Sequence, residues 1–160
     1  MIKYIFQNRM TDLKTNQCIA ILKHNYMGRL GYIAKNSPYI IPITYFYHED
    51  ANNSIICYSG EGHKIEAMRK NNSVSLEVDE IESVNKWRSV LVHGVFEELK
   101  GIDARHLLHE FAEGVKNIIN EKEHTLHHTI SDFSSKMNQE KIPIVFRIKI
   151  LEITGKRKEP

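Results

Sequence analysis

Apolar residues recur along this chain with two periods, and the change from one to the other sketches the fold. Cys18, Ile19, Ile21 and Leu22 form a stripe at helical spacing over residues 16–25, behind Thr15, whose hydroxyl is placed to cap the first turn. Past Gly28 the pattern changes. "RLGYIAK" (29–35) and "PYIIPITYFYH" (38–48) read as strands parted by the turn signal Asn36-Ser37-Pro38. A second turn cluster, "EDANNS" (49–54), leads into a third strand, "IICYS" (55–59). Strands joined by such short turns are antiparallel, because parallel neighbours need a crossover of about a dozen residues or more.

A short helix is predicted over 62–70, stopped by Asn71-Asn72. "SVSLEVDE" (73–80) alternates, with Val74, Leu76 and Val78 to one side and Ser75, Glu77 and Asp79 to the other. "WRSVLVHGVFEEL" (87–99) is apolar on both faces, and Gly94 marks a bend or bulge in it. Two-sided burial puts one face of that strand in the core and the other under a helix or a second subunit. Leu107, Leu108, Phe111, Ala112, Val115, Ile118 and Ile119 give residues 103–120 the strongest helical period. Residues 121–141 are polar with little period and read as a short helix or a loop. "IPIVFRIKILEI" (142–153) is the last predicted strand, with Ile142, Ile144, Phe146, Ile148 and Ile150 on one face and Pro143 near its start. "TGKRKEP" reads as a solvated tail. About six antiparallel strands with a few helices make a small α+β barrel, a single domain over residues 1–160.

Composition narrows the classes of function. The chain has 160 residues, enough for one core, and its net charge of +2 is too small to argue for nucleic acid. No apolar run approaches the roughly 20 residues of a membrane span. "MIKYIFQNRMTDLK" does not read as a signal peptide. Cys18 and Cys57 are too few for a disulfide framework, so reduced, buried thiols and a cytoplasmic location are expected. The basic end "GKRKEP" carries three cations against one acid and reads as a soluble terminus; neither nucleic acid nor membrane is expected as a partner. His124, His127 and His128 share one helix face, as do His106 and His109, but no cysteine or carboxylate completes a ligand set, so no metal is assigned.

The chemistry concentrates in "YSGEGHK" (58–64), between a strand and a helix start. A helix N-terminus offers free backbone N–H groups and partial positive charge. Lys64 adds a full charge, Ser59 and His63 add donors, and Gly60 and Gly62 allow close approach and unusual φ values. Those are the parts a phosphate needs, yet neither a Walker loop nor a dinucleotide fingerprint is present. Glu61 counts against an anion, since its own carboxylate could occupy the helix start. A plain turn and a phosphate cradle both remain open on these residues alone.

The order of the pieces resembles the pyridoxamine 5′-phosphate oxidase-like, FMN-binding split-barrel family, and within it the Nim-type nitroimidazole resistance branch. The matching stretches are "GRLGYIAKNSPYIIPITYFY" (28–47), "IICYSGEGHKIEAMRKNNSVSLEVD" (55–79) and "WRSVLVHGVFEEL" (87–99). The resemblance implies a six-stranded antiparallel split β-barrel with flanking helices, and a homodimer holding FMN at the subunit interface. It implies that Lys64 is the phosphate cation, with Ser59, Gly62 and His63 as donors and Tyr58 beside them. The strand from Pro42 would run along the isoalloxazine through backbone groups of Ile43, Thr44 and Tyr45. Arg29 and Leu30 would lie beside the ring or ribityl chain, and Trp87 and Ser89 would reach over from the partner subunit. Each residue has a plainer role: Arg29 as the partner of a carboxylate, Trp87 as core or dimer filler, Tyr45 and Tyr58 as aromatics on a barrel wall.

The implied activity is an FMN-dependent oxidoreductase. A small-molecule donor reduces the flavin, which passes electrons or hydride to a small planar acceptor, a nitroaromatic by likeness to the Nim branch. The alternative is a non-catalytic flavin- or haem-binding barrel. Flavin needs an apolar slot, a few edge hydrogen bonds and an anion site, and it carries its own redox chemistry, so no catalytic side chain is assigned. Pyridoxamine phosphate oxidase activity itself is not expected, because "EITGKRKEP" lacks the Arg-Leu-x-Pro-type ending of those enzymes.

Overall fold

The computed structural model describes residues 9–49, 53–123 and 143–160. In chain order these form β1 (Arg9–Asp12), α1 (Thr15–His24), β2 (Met27–Ala34), β3 (Ser37–Thr44), β4 (Phe46–His48), β5 (Ser54–Ser59), α2 (His63–Lys70), β6 (Ser73–Ser83), β7 (Lys86–Leu99), α3 (Gly101–Glu123) and β8 (Ile144–Glu159). Every strand pairing is antiparallel. The sheet runs β3-β2-β6-β7-β8-β5-β4, with β1 on β8. The two ends of that order, β3 and β4, are joined through the single residue Tyr45. Thr44 and Phe46 are two Cα steps apart, at most about 7 Å, so the sheet has to curl until its edges come together without pairing. That gives an α+β split barrel with an open seam.

Four expectations change. The predicted strand 38–48 is two strands on opposite edges of the sheet, and with β1 the count among the described residues is eight, not six. The tail is not solvated coil: β8 runs to Glu159, pairs with β7 as far as Lys158, and takes β1 on its other side. Thr15 is the first helical residue, not the cap; Lys14 holds that place, its N–H donating to Gln17 Oε1 at 2.8 Å. The β2–β3 turn is Lys35-Asn36, both with positive φ (50° and 64°), the two-residue hairpin whose twist matches the strands. Helix α3 reaches Glu123; the rest of 121–141, and Ile142, lie outside the described residues.

Alternation sets the layers. Leu30, Leu76, Val78, Val90, Val92 and Ile148 face inward with α1 and α2 residues to form the main core, while α3 packs on the other side against Ile56 and Val145. Gly94 sits at a bulge against β8, where a Cβ would lie 2.5 Å from the Lys149 carbonyl oxygen. Tyr45, fully buried, donates its hydroxyl to Leu22 O at 2.8 Å and so satisfies a carbonyl in the last turn of α1.

Candidate functional site

β5 ends at Ser59 and α2 begins at His63, which leaves 60–62 as an open corner. The first helical bond runs from Glu66 N to Gly62 O at 3.1 Å, so the N–H groups of His63, Lys64 and Ile65 have no intrahelical acceptor, and no side chain caps them. The glycines do not use their conformational freedom: Gly62 has an extended φ of 166°. What they supply is room, because a Cβ at Gly60 or Gly62 would meet nothing within 4 Å. Ser59 is buried and its hydroxyl donates to Gly60 O at 2.9 Å, so it braces the corner.

Glu61 does not occupy the helix start. Arg69 holds it by two bonds, 3.0 and 2.8 Å, and holds Glu98 by two more, 2.9 and 2.8 Å. Those contacts raise the Arg69 pKa and lower that of Glu98. Lys64 is half-buried, and among the described residues no hydrogen bond or ion pair engages its ammonium group. The corner therefore keeps one uncommitted cation and three free N–H groups.

His63 stands against two tyrosines. Its ring centroid lies 4.9 Å from Tyr39 and 5.7 Å from Tyr32, and those two rings stack at 5.4 Å. Tyr32 Oη and His63 Nδ1 share a hydrogen bond of 2.9 Å. Sequence reasoning missed Tyr32 and Tyr39 as site neighbours; the hairpin register that pairs them directly was the available signal.

A second group lies on the outward row of the sheet. Arg29 pairs with Asp79 at 2.7 Å and Glu77 at 3.3 Å; Ser89 Oγ donates to Glu77 Oε1 at 3.1 Å. Burial, then Asp79 nearby, pushes the Glu77 carboxyl up to about 7. Pro42 stands opposite Arg29, Thr44 opposite Met27, and Trp87 opposite Ile81. No residue of this row belongs to either core cluster. It carries exposed apolar side chains, among them Met27, Ile40 and Ile81, the last two 73% and 67% exposed.

The other expected residues separate. Leu30, Ile43 and Tyr45 are buried in the main core, because alternation turns Leu30 to the face opposite Arg29. The Tyr45 N–H already donates to Tyr26 O at 2.9 Å. Tyr58 packs edge-on against Phe111 under α3, with its ring centroid 5.2 Å away, rather than into the corner. One chain thus places Ser59, Gly62, His63 and Lys64 at the corner, Arg29, Pro42, Thr44, Trp87 and Ser89 on the outward row, and the remainder in the packing.

Among the described residues no three histidine, cysteine or acidic side chains are placed to hold a metal. His106 and His109 are exposed on α3, and His124, His127 and His128 lie outside the described residues. No helix among them is long and apolar enough to cross a membrane.

Comparison with known proteins follows the same lines. A family model described as pyridoxamine 5′-phosphate oxidase matches residues 14–157. An uncharacterized protein of Rhizobium meliloti is 34% identical over 94 residues, 59% of this chain and 60% of that protein's own length. The crystal structure of an FAD-binding protein from Mesorhizobium loti superposes with a TM-score of 0.70 at 29% identity, covering 95% of this chain and 98% of that one. A candidate 5-nitroimidazole antibiotic resistance protein from Bacteroides thetaiotaomicron shares the fold, with a TM-score of 0.66 at 16% identity over 94% of this chain and 88% of the other.

Proposed function

The chain belongs to the pyridoxamine 5′-phosphate oxidase family, and from that premise we propose that it is a single-domain flavoprotein whose FMN moiety lies between two copies of the chain. The observation that carries the reading is the corner before α2, where Lys64 is uncommitted, three N–H groups lack intrahelical acceptors, and Arg69 draws Glu61 aside. The donor set fits a phosphate, and the space over Gly60 and Gly62 leaves room for one. The similar protein from Mesorhizobium loti is described as FAD-binding, which supports a flavin.

A second copy enters this reading from the family resemblance, which puts Trp87 and Ser89 across the subunit interface. Trp87 and Ser89 stand near the start of β7, whereas α2 leads into the start of β6, which pairs with Val95. We assign Arg29, Pro42 and Thr44 to the slot for the ring, with Trp87 and Ser89 contributed by the other copy. The exposed apolar residues of the row exclude water from that slot once paired. Arg29 stays oriented by Asp79. When bound, the flavin supplies the redox chemistry, moving electrons from a small-molecule donor to a small acceptor, for which we propose a nitroaromatic. Free, buried Cys18 and Cys57 accord with a cytoplasmic setting.

The visible spectrum of the freshly purified protein, with mass analysis of what heat releases, tests the reading. A flavin spectrum, release of a flavin, a dimer in sedimentation and turnover with a reductant and a nitroaromatic are the expected results. A colourless protein that takes up no added flavin overturns it. A bound flavin that no donor reduces removes the enzymatic part alone.

A further inference from the structure

We propose that the cavity between residues 25–29 and the C-terminal end of α3 is the acceptor subsite, that Lys122 recognises the acceptor there, and that the acceptor is an uncharged single aromatic ring bearing a nitro group. The inference rests on the flavin reading above and deepens it. The cavity has a volume of about 320 Å³, and Asn25, Tyr26, Arg29, Pro42, Lys122 and Glu123 are among its lining residues. Arg29 and Pro42 are also the residues assigned to the ring slot, so the cavity and the slot share a wall. Small-molecule sites run from about 300 to 1,000 Å³, and a cavity at the low end of that range suits one ring. Two side-chain bonds, Lys122 to Asn25 and Tyr26 to Glu123, each between residues 97 positions apart, fasten the end of α3 to this place.

The lining suits a dipole rather than an ion. Asn25 is buried and its Nδ2 donates to Ile21 O at 2.9 Å, so its Oδ1 is fixed where it accepts from Lys122 Nζ. An ammonium group has three donors. Asn25 takes one, and among the described residues Lys122 forms no ion pair. Arg29 bonds Asp79 and Glu77 through Nη1, and among the described residues no hydrogen bond engages its Nη2. Tyr26 donates to Glu123, and that bond, then burial, pushes the phenol up to about 12, so Tyr26 stays neutral. Arg29 and Lys122 balance Asp79 and Glu123, which leaves the lining with no net charge. The end of α3 adds the partial negative charge of its last carbonyls, which opposes a full anion. Open donors in an electrically balanced lining select a neutral molecule with partially negative oxygens. A nitro group carries two such oxygens, and Pro42 and Met27 give its ring an apolar surface.

Calorimetric titration of the oxidised, flavin-loaded full chain, with no reductant present, tests this with two probes: nitrobenzene, which is neutral, and 4-nitrobenzoate, which is an anion. Wild type is expected to bind nitrobenzene at least about tenfold more tightly than 4-nitrobenzoate. Lys122 is exposed at the end of α3, so its side chain can be removed without opening the core. Lys122→Ala is expected to lower nitrobenzene affinity about tenfold and to leave flavin affinity unchanged. Unchanged nitrobenzene affinity in Lys122→Ala, or tighter binding of 4-nitrobenzoate than of nitrobenzene by wild type, overturns the inference. Loss of flavin from Lys122→Ala overturns it too, because the residue then belongs to the cofactor. A flavin-loaded wild type that binds no nitrobenzene overturns the subsite and leaves the flavin site standing. A wild type that takes up no flavin sinks the flavin reading and the subsite together.

Discussion

Lys64→Ala is the perturbation that weighs the corner most directly. Three kinds of group face a phosphate there: the N–H groups of His63, Lys64 and Ile65, the partial charge of an eight-residue helix, and the Lys64 ammonium group. A helix end contributes about 0.3–1 kcal/mol to an exposed anion. A charge-assisted hydrogen bond contributes about 1.5–3 kcal/mol, so the side chain outweighs the dipole. Nor can a neighbour replace it, because Arg69 is held by Glu61 and Glu98 through four hydrogen bonds. The substitution should therefore weaken FMN binding about 10- to 150-fold. Fluorescence quenching of the flavin on titration measures it, with riboflavin alongside. Riboflavin has no phosphate, so its affinity should not change. Unchanged FMN affinity in the variant refutes the cradle. Equal losses for FMN and riboflavin refute the assignment of Lys64 to phosphate, since the residue would then act on the ring or on the fold.

Other outcomes follow from the same geometry. Arg69→Ala releases Glu61 next to the corner and should weaken FMN binding by less than Lys64→Ala; adding Glu61→Gln should restore it, which the same titration reads. The Glu77 carboxyl is raised from 4.5 to about 7, so the folded chain holds that proton more tightly than the unfolded one. Its contribution to stability is complete below about pH 4.5 and is lost as pH rises through about 7; for a half-exposed group the change is about 1 kcal/mol, and Glu77→Gln should flatten it in denaturant midpoints measured across that window. Gly94→Ala drives a Cβ to 2.5 Å from the Lys149 carbonyl oxygen, where the backbone of β8 cannot move aside; a loss of roughly 1–3 kcal/mol should lower the melting temperature by several degrees.

Local pattern carried a large part of the fold. The alternation of Val74, Leu76 and Val78 against Ser75, Glu77 and Asp79 appears in β6 as inward and outward rows. Gly94 marked the bulge, and the stripe of α3 marked the second layer. The corner at 59–64 was legible too, because a strand end, two glycines, a lysine and a helix start are adjacent in the chain. The face of each strand residue was less so: Arg29 and Leu30, neighbours in the same motif, point to opposite sides of β2, and only Arg29 remains available to a ligand.

Local physics in this chain decided periods, turns and the helix start, since each depends on residues a few positions apart. Contacts across long separations decided the rest. Nothing in "PYIIPITYFYH" says that its two halves sit on opposite edges of the sheet; the curl that Tyr45 spans does, and that curl belongs to all the strands together. "TGKRKEP" is polar at every scale a short window can see, yet it becomes strand because β7 and β1 meet its backbone on both sides, with Lys156 opposite Asp12. The same distance effect assembled Lys35, Tyr39, His63 and Lys70 around one groove: a turn, a strand and a helix from separate stretches share that volume because α2 packs against β2 of the hairpin.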